Sequence, residues 1–290
     1  MAGYTPGQVL AGKQVAVGGV TLGAVDSAGV AWTIDTDGLK GWDGPPVRTQ
    51  YSDREADHGS YAGPTYLAAR VISISGKIIA DTQATLDTAM DQLAAAPGLT
   101  DTLLVVSETT PRQAMVRRSG EVLLRQETDR IAAYSLMVTA TDPRRYSTTL
   151  QSRSTGLPAS TGGITLPITL PLTITAGATS GQIILANSGT IAARPTITIG
   201  GPVTTPAVTF QYPDGTVKQL AYSDTLGAGD VLVIDTDAHT ATLNGQVSRR
   251  RYLSGTWPEI PPGSSVTIQW TAASSDPAAL LTGTCRSAWI

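Results

Sequence analysis

Residues Gly229–Trp270 read GDVLVIDTDAHTATLNGQVSRRRYLSGTWPEIPPGSSVTIQW. Val231, Val233 and Asp235 fall on one face of an extended chain, and Leu232 and Ile234 fall on the other. The Asp235–His239 segment turns, and Ala241–Leu243 runs back to a stop at Asn244-Gly245. This is the pattern of a hairpin followed by a second tight turn. A basic run, Arg249-Arg250-Arg251, comes next. Trp257-Pro258 and Pro261-Pro262-Gly263 then break the chain before a last alternating strand at Val266, Ile268 and Trp270. Strand and turn fill the whole stretch, and no catalytic pattern interrupts it.

Composition agrees. The chain has 290 residues, of which only 15% are charged, with 30 Gly and 18 Pro. Turn formers beside many β-branched residues point to a mainly β protein with many short strands. There is a single Phe, so the cores must be filled by Val, Ile, Leu and the five Trp. A net charge of −3 does not suggest a nucleic-acid-binding surface. One cysteine, Cys285, excludes an intramolecular disulfide. The first 20 residues lack the charged and apolar regions of a signal peptide, and no apolar run is long enough to span a membrane. The expectation is a soluble protein made in a cytoplasm.

Two textures divide the chain. Residues 1–150 hold 13 of the 20 basic and 16 of the 23 acidic residues, so the second half is sparsely charged. Between the halves, Gln151–Gly163 (QSRSTGLPASTGG) is small, polar and aperiodic, as in a linker. The predicted organisation is a first domain over 1–147, a linker over 148–163 and a second domain over 164–290.

In the first half, Val15 and Val17, Gly18-Gly19, then Val20 and Leu22 predict a hairpin. Val30, Trp32 and Ile34 predict another strand. Asp35–Gly63 has no period, and a segment that long is expected to be a functional arm or loop. Ala69–Ile79 reads as a strand, with Ile72, Ile74 and Ile78 on one face. A helix follows, capped by Asp81 or Thr82, with Leu86, Ala89, Met90 and Leu93 at helical spacing and Pro97-Gly98 at its end. Strands are predicted at Thr102–Ser107, Arg112–Arg118, Glu121–Arg125 and Ile131–Thr141. In the second half they fall at Ile164–Leu172, Gln182–Ala186, Thr196–Ile199, Ala207–Tyr212 and Thr216–Leu220. Turns roughly every eight to twelve residues suggest a β-sandwich of jelly-roll type.

Few residues suggest chemistry. His58 and His239 lie in polar turns, where histidine is usually solvated. Asp53, Glu55 and Asp57 would share a face if extended and form a weak candidate site for a hard cation such as Ca²⁺. Asp35-Thr36-Asp37 and Asp235-Thr236-Asp237 read as turns in which Asp bonds the local backbone. No nucleophile elbow, phosphate loop or zinc spacing is present. Neither an enzyme nor a cofactor is expected, and Cys285 reads as a small buried residue. Arg48, Arg117, Arg118, Arg249, Arg250 and Arg251 are candidates for pairing with carboxylates of a neighbouring subunit. Trp42, Tyr51 and Tyr61 are candidate contacts of the arm. Trp32 and Trp270 read as core. Trp257, between Gly255 and Pro258, is either displayed to a sugar or partner, or folded back to plug the end of the sandwich.

Several runs, in this order, resemble the distal tail proteins of long non-contractile-tailed phages, often labelled minor tail proteins in actinobacteriophages. They are Asp142–Tyr146 (DPRRY), Asn187–Pro202 (NSGTIAARPTITIGGP), Val233–Gly245 (VIDTDAHTATLNG), Pro261–Trp270 (PPGSSVTIQW) and Arg286–Ile290 (RSAWI). The resemblance implies an N-terminal β-sandwich or split-barrel-like domain with one helix, closing into a six-membered ring that continues the tail tube. It implies a C-terminal galectin-like or jelly-roll sandwich projecting outward. The implied function is a structural hub at the distal tail tip that joins tube to baseplate and lets DNA pass through its pore. Implied partners are copies of itself, the tail tube protein, the tail-tip hub protein and the tape-measure protein, with a host surface glycan as a further one. The rival reading is a carbohydrate-binding sandwich protein.

Overall fold

The computed structural model describes residues 4–161, 177–274 and 276–290. The chain divides into two compact units, one of residues 1–148 with Ile290, the other Thr149–Trp289. The predicted strand at Ile164–Leu172 lies outside the described residues.

In the first unit, β1 (Gln14–Val17) and β2 (Val20–Leu22) form the expected hairpin. Gly18 and Gly19 both have positive φ, 54° and 88°, as its two-residue turn requires. Next come β3 (Ala24–Val25) and β4 (Ala31–Lys40), and then four short strands, β5 (Val47–Arg48), β6 (Tyr51–Asp53), β7 (Ser60–Ala62) and β8 (Tyr66–Leu67). After β9 (Arg70–Ile79) comes helix α1 (Gln83–Ala95), and then β10 (Thr102–Ser107), β11 (Arg112–Arg118), β12 (Leu123–Gln126), β13 (Ile131–Ala140) and β14 (Arg145–Ser147). The main sheet runs β2-β1-β10-β11-β13-β9-β4-β3, with β12 on β13 and β14 on β11. It turns at β11, where Thr102–Val106 of β10 pairs with Arg112–Val116, while Arg117 and Arg118 pair with β13.

One face of this sheet is the core. Ile72, Ile74 and Ile78 of β9 and Ala132, Tyr134, Leu136 and Val138 of β13 are buried on alternate positions. The helix covers that face with Leu86, Ala89 and Leu93, and Met90 packs beside them, while Asp87 and Asp91 are exposed. Thr82 is the N-cap, its hydroxyl accepting from the Thr85 amide at 3.2 Å.

The aperiodic segment begins later than its composition suggests. Residues 35–40 continue β4, which re-pairs with β9 at Leu39 and Lys40 after an irregularity between Ile34 and Leu39. A bulge of this kind hides the period of two. It also removes Asp35-Thr36-Asp37 from the turns. Gly38 allows the close approach, since a Cβ there would lie 2.3 Å from the Ser75 carbonyl oxygen. Beyond Gly41 the chain leaves the sheet as a paired arm, with β5 on β8 and β6 on β7.

The second unit is a sandwich of two antiparallel sheets. One is β15 (Gln151–Gly156), β29 (Leu280–Cys285), β19 (Thr196–Gly200), β24 (Val231–Asp235), β25 (Thr240–Leu243) and β26 (Val247–Ser248). The other is β18 (Gln182–Asn187), β28 (Ser264–Thr271), β21 (Ala207–Gln211), β22 (Val217–Tyr222) and β27 (Leu253–Gly255). Small pairs β16 (Ala159–Thr161) with β17 (Gly177–Thr179), and β20 (Val203–Thr204) with β23 (Thr225–Leu226), complete it; the short β30 (Ala288–Trp289) pairs with neither sandwich sheet. Gly283 marks where the sheets face each other. A Cβ at that position would lie 2.6 Å from Ile183 and 3.2 Å from Leu185 of the opposite sheet. Leu232, Ile234, Val266, Ile268 and Trp270 are buried as the alternation predicted.

One reading of this half changes. Gln151–Gly156 is an edge strand rather than a linker, pairing with β29 over six residues. Its small polar side chains suit an edge strand with little to bury, so composition alone does not mark it. The basic run, which carries no period of its own, holds a turn of 3-10 helix at Arg250–Tyr252.

Candidate functional site

The arm is exposed along almost its whole length. Val47, Tyr51, Tyr61 and Tyr66 are 58–68% exposed among the described residues. Arg48 lies 5.5 Å from the Tyr66 ring centre and Arg54 lies 5.0 Å from that of Tyr61. A two-stranded hairpin with no buried face is only marginally stable in water. Exposed tyrosine and arginine are also the residue types enriched where proteins meet. At its tip, Asp53, Glu55 and Asp57 are exposed. They do not converge on a metal site, and no cluster of three or more such ligands occurs among the described residues. Asp57 instead pairs with Arg54 at 3.6 Å and accepts from the His58 amide at 2.7 Å.

The arm's root is rigid. Arg70, at the start of β9, is fully buried. Its Nε donates to the Pro143 carbonyl at 2.9 Å, and its Nη1 donates to the carbonyls of Gly41 (3.2 Å) and Trp42. One side chain therefore ties the outgoing strand of the arm to the incoming one. Burial, and then the neighbouring Arg145, push the Arg70 pKa down to about 10, which still leaves it charged near neutrality. Trp42 is fully buried too, against the expectation that a Gly-rich loop would expose it. Its indole Nε1 donates to Glu108 at 3.1 Å, and Glu108 also pairs with Lys13 at 3.2 Å and Arg112 at 3.5 Å. Arg145 stacks 5.5 Å from the same indole. Trp42 belongs to the base of the arm, not to its contact surface.

A second constellation lies on one rim of the sandwich. The Asp235–His239 turn is closed by the Asp235 carboxylate, which accepts from the amides of Asp237 (2.8 Å) and Ala238 (3.0 Å). It delivers His239 onto Trp257, with ring centres 4.6 Å apart and planes at 15°. Arg250 lies 5.0 Å from the same indole centre. Arg194 ties the turn to the Trp257 segment, bridging Asp237 at 2.6 Å and Glu259 at 2.7 Å. Trp257 is half-buried, and its π-surface is already engaged. We expect Trp257→Ala to cost the second unit about 1–3 kcal/mol, read as a lower midpoint in denaturant. An unchanged midpoint would mean that the ring hangs free.

The remaining arginines divide. Arg117 makes a two-point ion pair with Asp101, which holds that carboxyl below its ordinary range. Arg118 donates to the Gly120 carbonyl at 3.0 Å. Arg249 sits 3.8 Å from Asp224 and 5.5 Å from the Tyr252 ring centre. Arg251 lies 4.6 Å from the same ring and donates to its hydroxyl at 2.7 Å. Arg250 donates to the Leu253 carbonyl at 2.7 Å. Cys285 is buried, and burial pushes its thiol up to about 11, so it stays an unreactive thiol at neutral pH.

Sequence reasoning missed Arg70, although a signal existed. Arg70 has the same parity as Ile72, Ile74 and Ile78, which places it on the buried face. It also missed the role of Asn187, seen only as the end of a strand, and Tyr252, on which two arginines stack.

Residues 188–280 match the family of the siphovirus-type tail component, C-terminal domain. The whole chain is similar in structure to the Dit protein of phage SPP1, described as a paradigm of the hub adsorption apparatus in phages infecting Gram-positive bacteria. That match has a TM-score of 0.62 at 13% identity, over 96% of this chain and 99% of the other. A chain of the phage P2 baseplate in its activated conformation with Ca is also similar, with a TM-score of 0.48 at 11% identity, over 94% of this chain and 97% of that one. A comparison with curated protein sequences gives no match.

Proposed function

We propose, for a chain whose second half carries the siphovirus-type tail component domain and whose full length takes the Dit fold, that it is a non-enzymatic structural protein of a phage tail hub. The first unit closes a ring with copies of itself through a heterologous contact, one patch meeting a different patch on the next copy. Six copies is the number the resemblance implies. The ring joins the tail tube to the tip and leaves a pore for DNA. A net charge of −3 per copy suits a channel that does not hold DNA.

The observation that carries this reading is the arm. It is anchored at its root by a buried arginine, yet among the described residues its tyrosines stand exposed. Such a hairpin is completed by a neighbour. The rival, stand-alone sugar binding by the sandwich, needs a free aromatic face, and Trp257 already stacks on His239 and Arg250.

Replacing Val47–Leu67 by a short Gly-Ser linker tests the proposal. The variant should unfold within about 1 kcal/mol of the native chain, because the removed residues bury little. It should also lose self-assembly, measured by mass photometry and negative-stain microscopy in the presence of the tube protein. Rings that form as readily without the arm would sink the reading.

A further inference from the structure

We propose that the arginine turn of the second unit is a carboxylate-docking site, filled by the acidic arm tip of a second copy. Two features of the turn support this. The first is its construction. Arg250 and Arg251 are exposed, yet neither is loose. Arg250 lies against the Trp257 ring and donates Nη1 to the Leu253 carbonyl. Arg251 lies against Tyr252 and donates Nη2 to its hydroxyl. Arg249 approaches the same tyrosine. Each guanidinium thus spends one N–H group within the chain and keeps others on an exposed side chain, where a planar guanidinium can meet a carboxylate. Each fork is also held in place, so less freedom is lost when it closes on an anion.

The second feature is charge. Asp224, 3.8 Å from Arg249, is the one carboxylate within ion-pair distance of the three arginines among the described residues. Arg250 and Arg251 have none. The complementary excess stands on the arm tip. Asp53, Glu55 and Asp57 lie within five residues of one another and are exposed, and among the described residues only Asp57 has a cation within ion-pair distance, Arg54. A hairpin from Val47 can carry these groups up to roughly 30 Å from its root. The chain therefore offers both halves of an ion-pair contact: Arg250 and Arg251 on one side, Asp53 and Glu55 on the other, have no ion-pair partner among the described residues. A phosphate-bearing polymer could fit the same forks, but the acidic tip is supplied in equal number by every copy. This inference rests on the proposed assembly and names one contact within it.

A charge swap in the full-length chain tests it. Arg250→Glu with Arg251→Glu, or Asp53→Lys with Glu55→Lys, should each weaken self-association about tenfold at low salt and less at high salt. The four changes combined should bring it back to within about threefold of native. Arg251→Gln, which keeps Tyr252 and adds no charge, is the milder variant should the double Glu change disturb folding, and it should weaken association severalfold. Combined variants no stronger than either pair, or single pairs without effect, overturn the contact. Arginine-dependent capture of inorganic polyphosphate with self-association untouched assigns the turn to phosphate and also overturns it. Loss of assembly on arm removal with no rescue by the swap defeats only this contact. Full assembly without the arm defeats the hub reading as well.

Discussion

Arg70→Ala should lower the stability of the first unit by about 3–5 kcal/mol and release both ends of the arm. The cost has three sources. The carbonyls of Gly41, Trp42 and Pro143 lose their donor, and that of Trp42 does so in a buried contact. A large cavity opens beside Trp42, which is itself fully buried. The crossing between the outgoing and returning strands of the arm also loses the side-chain tie at its root. Arg70→Lys keeps a charge but cannot reproduce the fork, so it should recover only part of the loss. Denaturant unfolding followed by tryptophan fluorescence gives the energy, and hydrogen exchange over 41–44 and 66–70 shows whether the root has loosened. A loss below about 1 kcal/mol, the range of surface substitutions, would falsify the clamp.

Asn187→Ala should be as damaging to the second unit, again about 3–5 kcal/mol. Asn187 is 1% exposed, and its side chain engages five backbone groups, with one of its two N–H groups shared between two carbonyls. Its amide nitrogen donates to the carbonyls of Ile191 (2.7 Å), Ile260 (3.1 Å) and Pro261 (3.3 Å). Its oxygen accepts from the amides of Gly189 (3.0 Å) and Ala288 (3.1 Å). It thus holds together the end of β18, the Pro-rich entry to β28 and the approach to β30. The backbone is closely packed there, since a Cβ on Gly189 would lie 1.7 Å from the Ala288 carbonyl oxygen. Asn187→Asp keeps the volume but replaces the donor with an acceptor facing three carbonyls, so near neutral pH it should cost at least as much. A melting transition for Asn187→Asp equal to native would show that the donor role is misassigned.

The other outcomes depend on these two units staying folded. Trp257→Ala acts on the rim of the sandwich alone, and removal of the arm leaves its Arg70 anchor in place. Assembly defects can therefore be separated from folding defects by measuring both on the same variants.

Much of this protein is legible in its sequence, wherever a local period has one physical meaning. The Gly18-Gly19 turn, the Ile72–Ile78 alternation, the Thr82 cap and the Asp235–His239 hairpin each follow from backbone sterics and the burial of one face, which act over a few residues. The mainly β class and the tail-hub resemblance follow from many such signals in order. Other features depend on partners distant in the chain. The bulge in β4 hides its period until Leu39 is seen paired with Ile74. Trp42 looks exposed until Glu108, Arg70 and Arg145 surround it. Gln151–Gly156 becomes a strand only because Leu280–Cys285 lies beside it. The arginine run is only a basic run in the sequence until its 3-10 turn sets two guanidiniums near Tyr252 and a third near Trp257. Local sequence determined which segments are strand, helix or turn. Contacts between segments far apart in the chain decided which polar side chains are buried as clamps and which stand free to meet a neighbour, because burial depends on what the rest of the chain brings to each position.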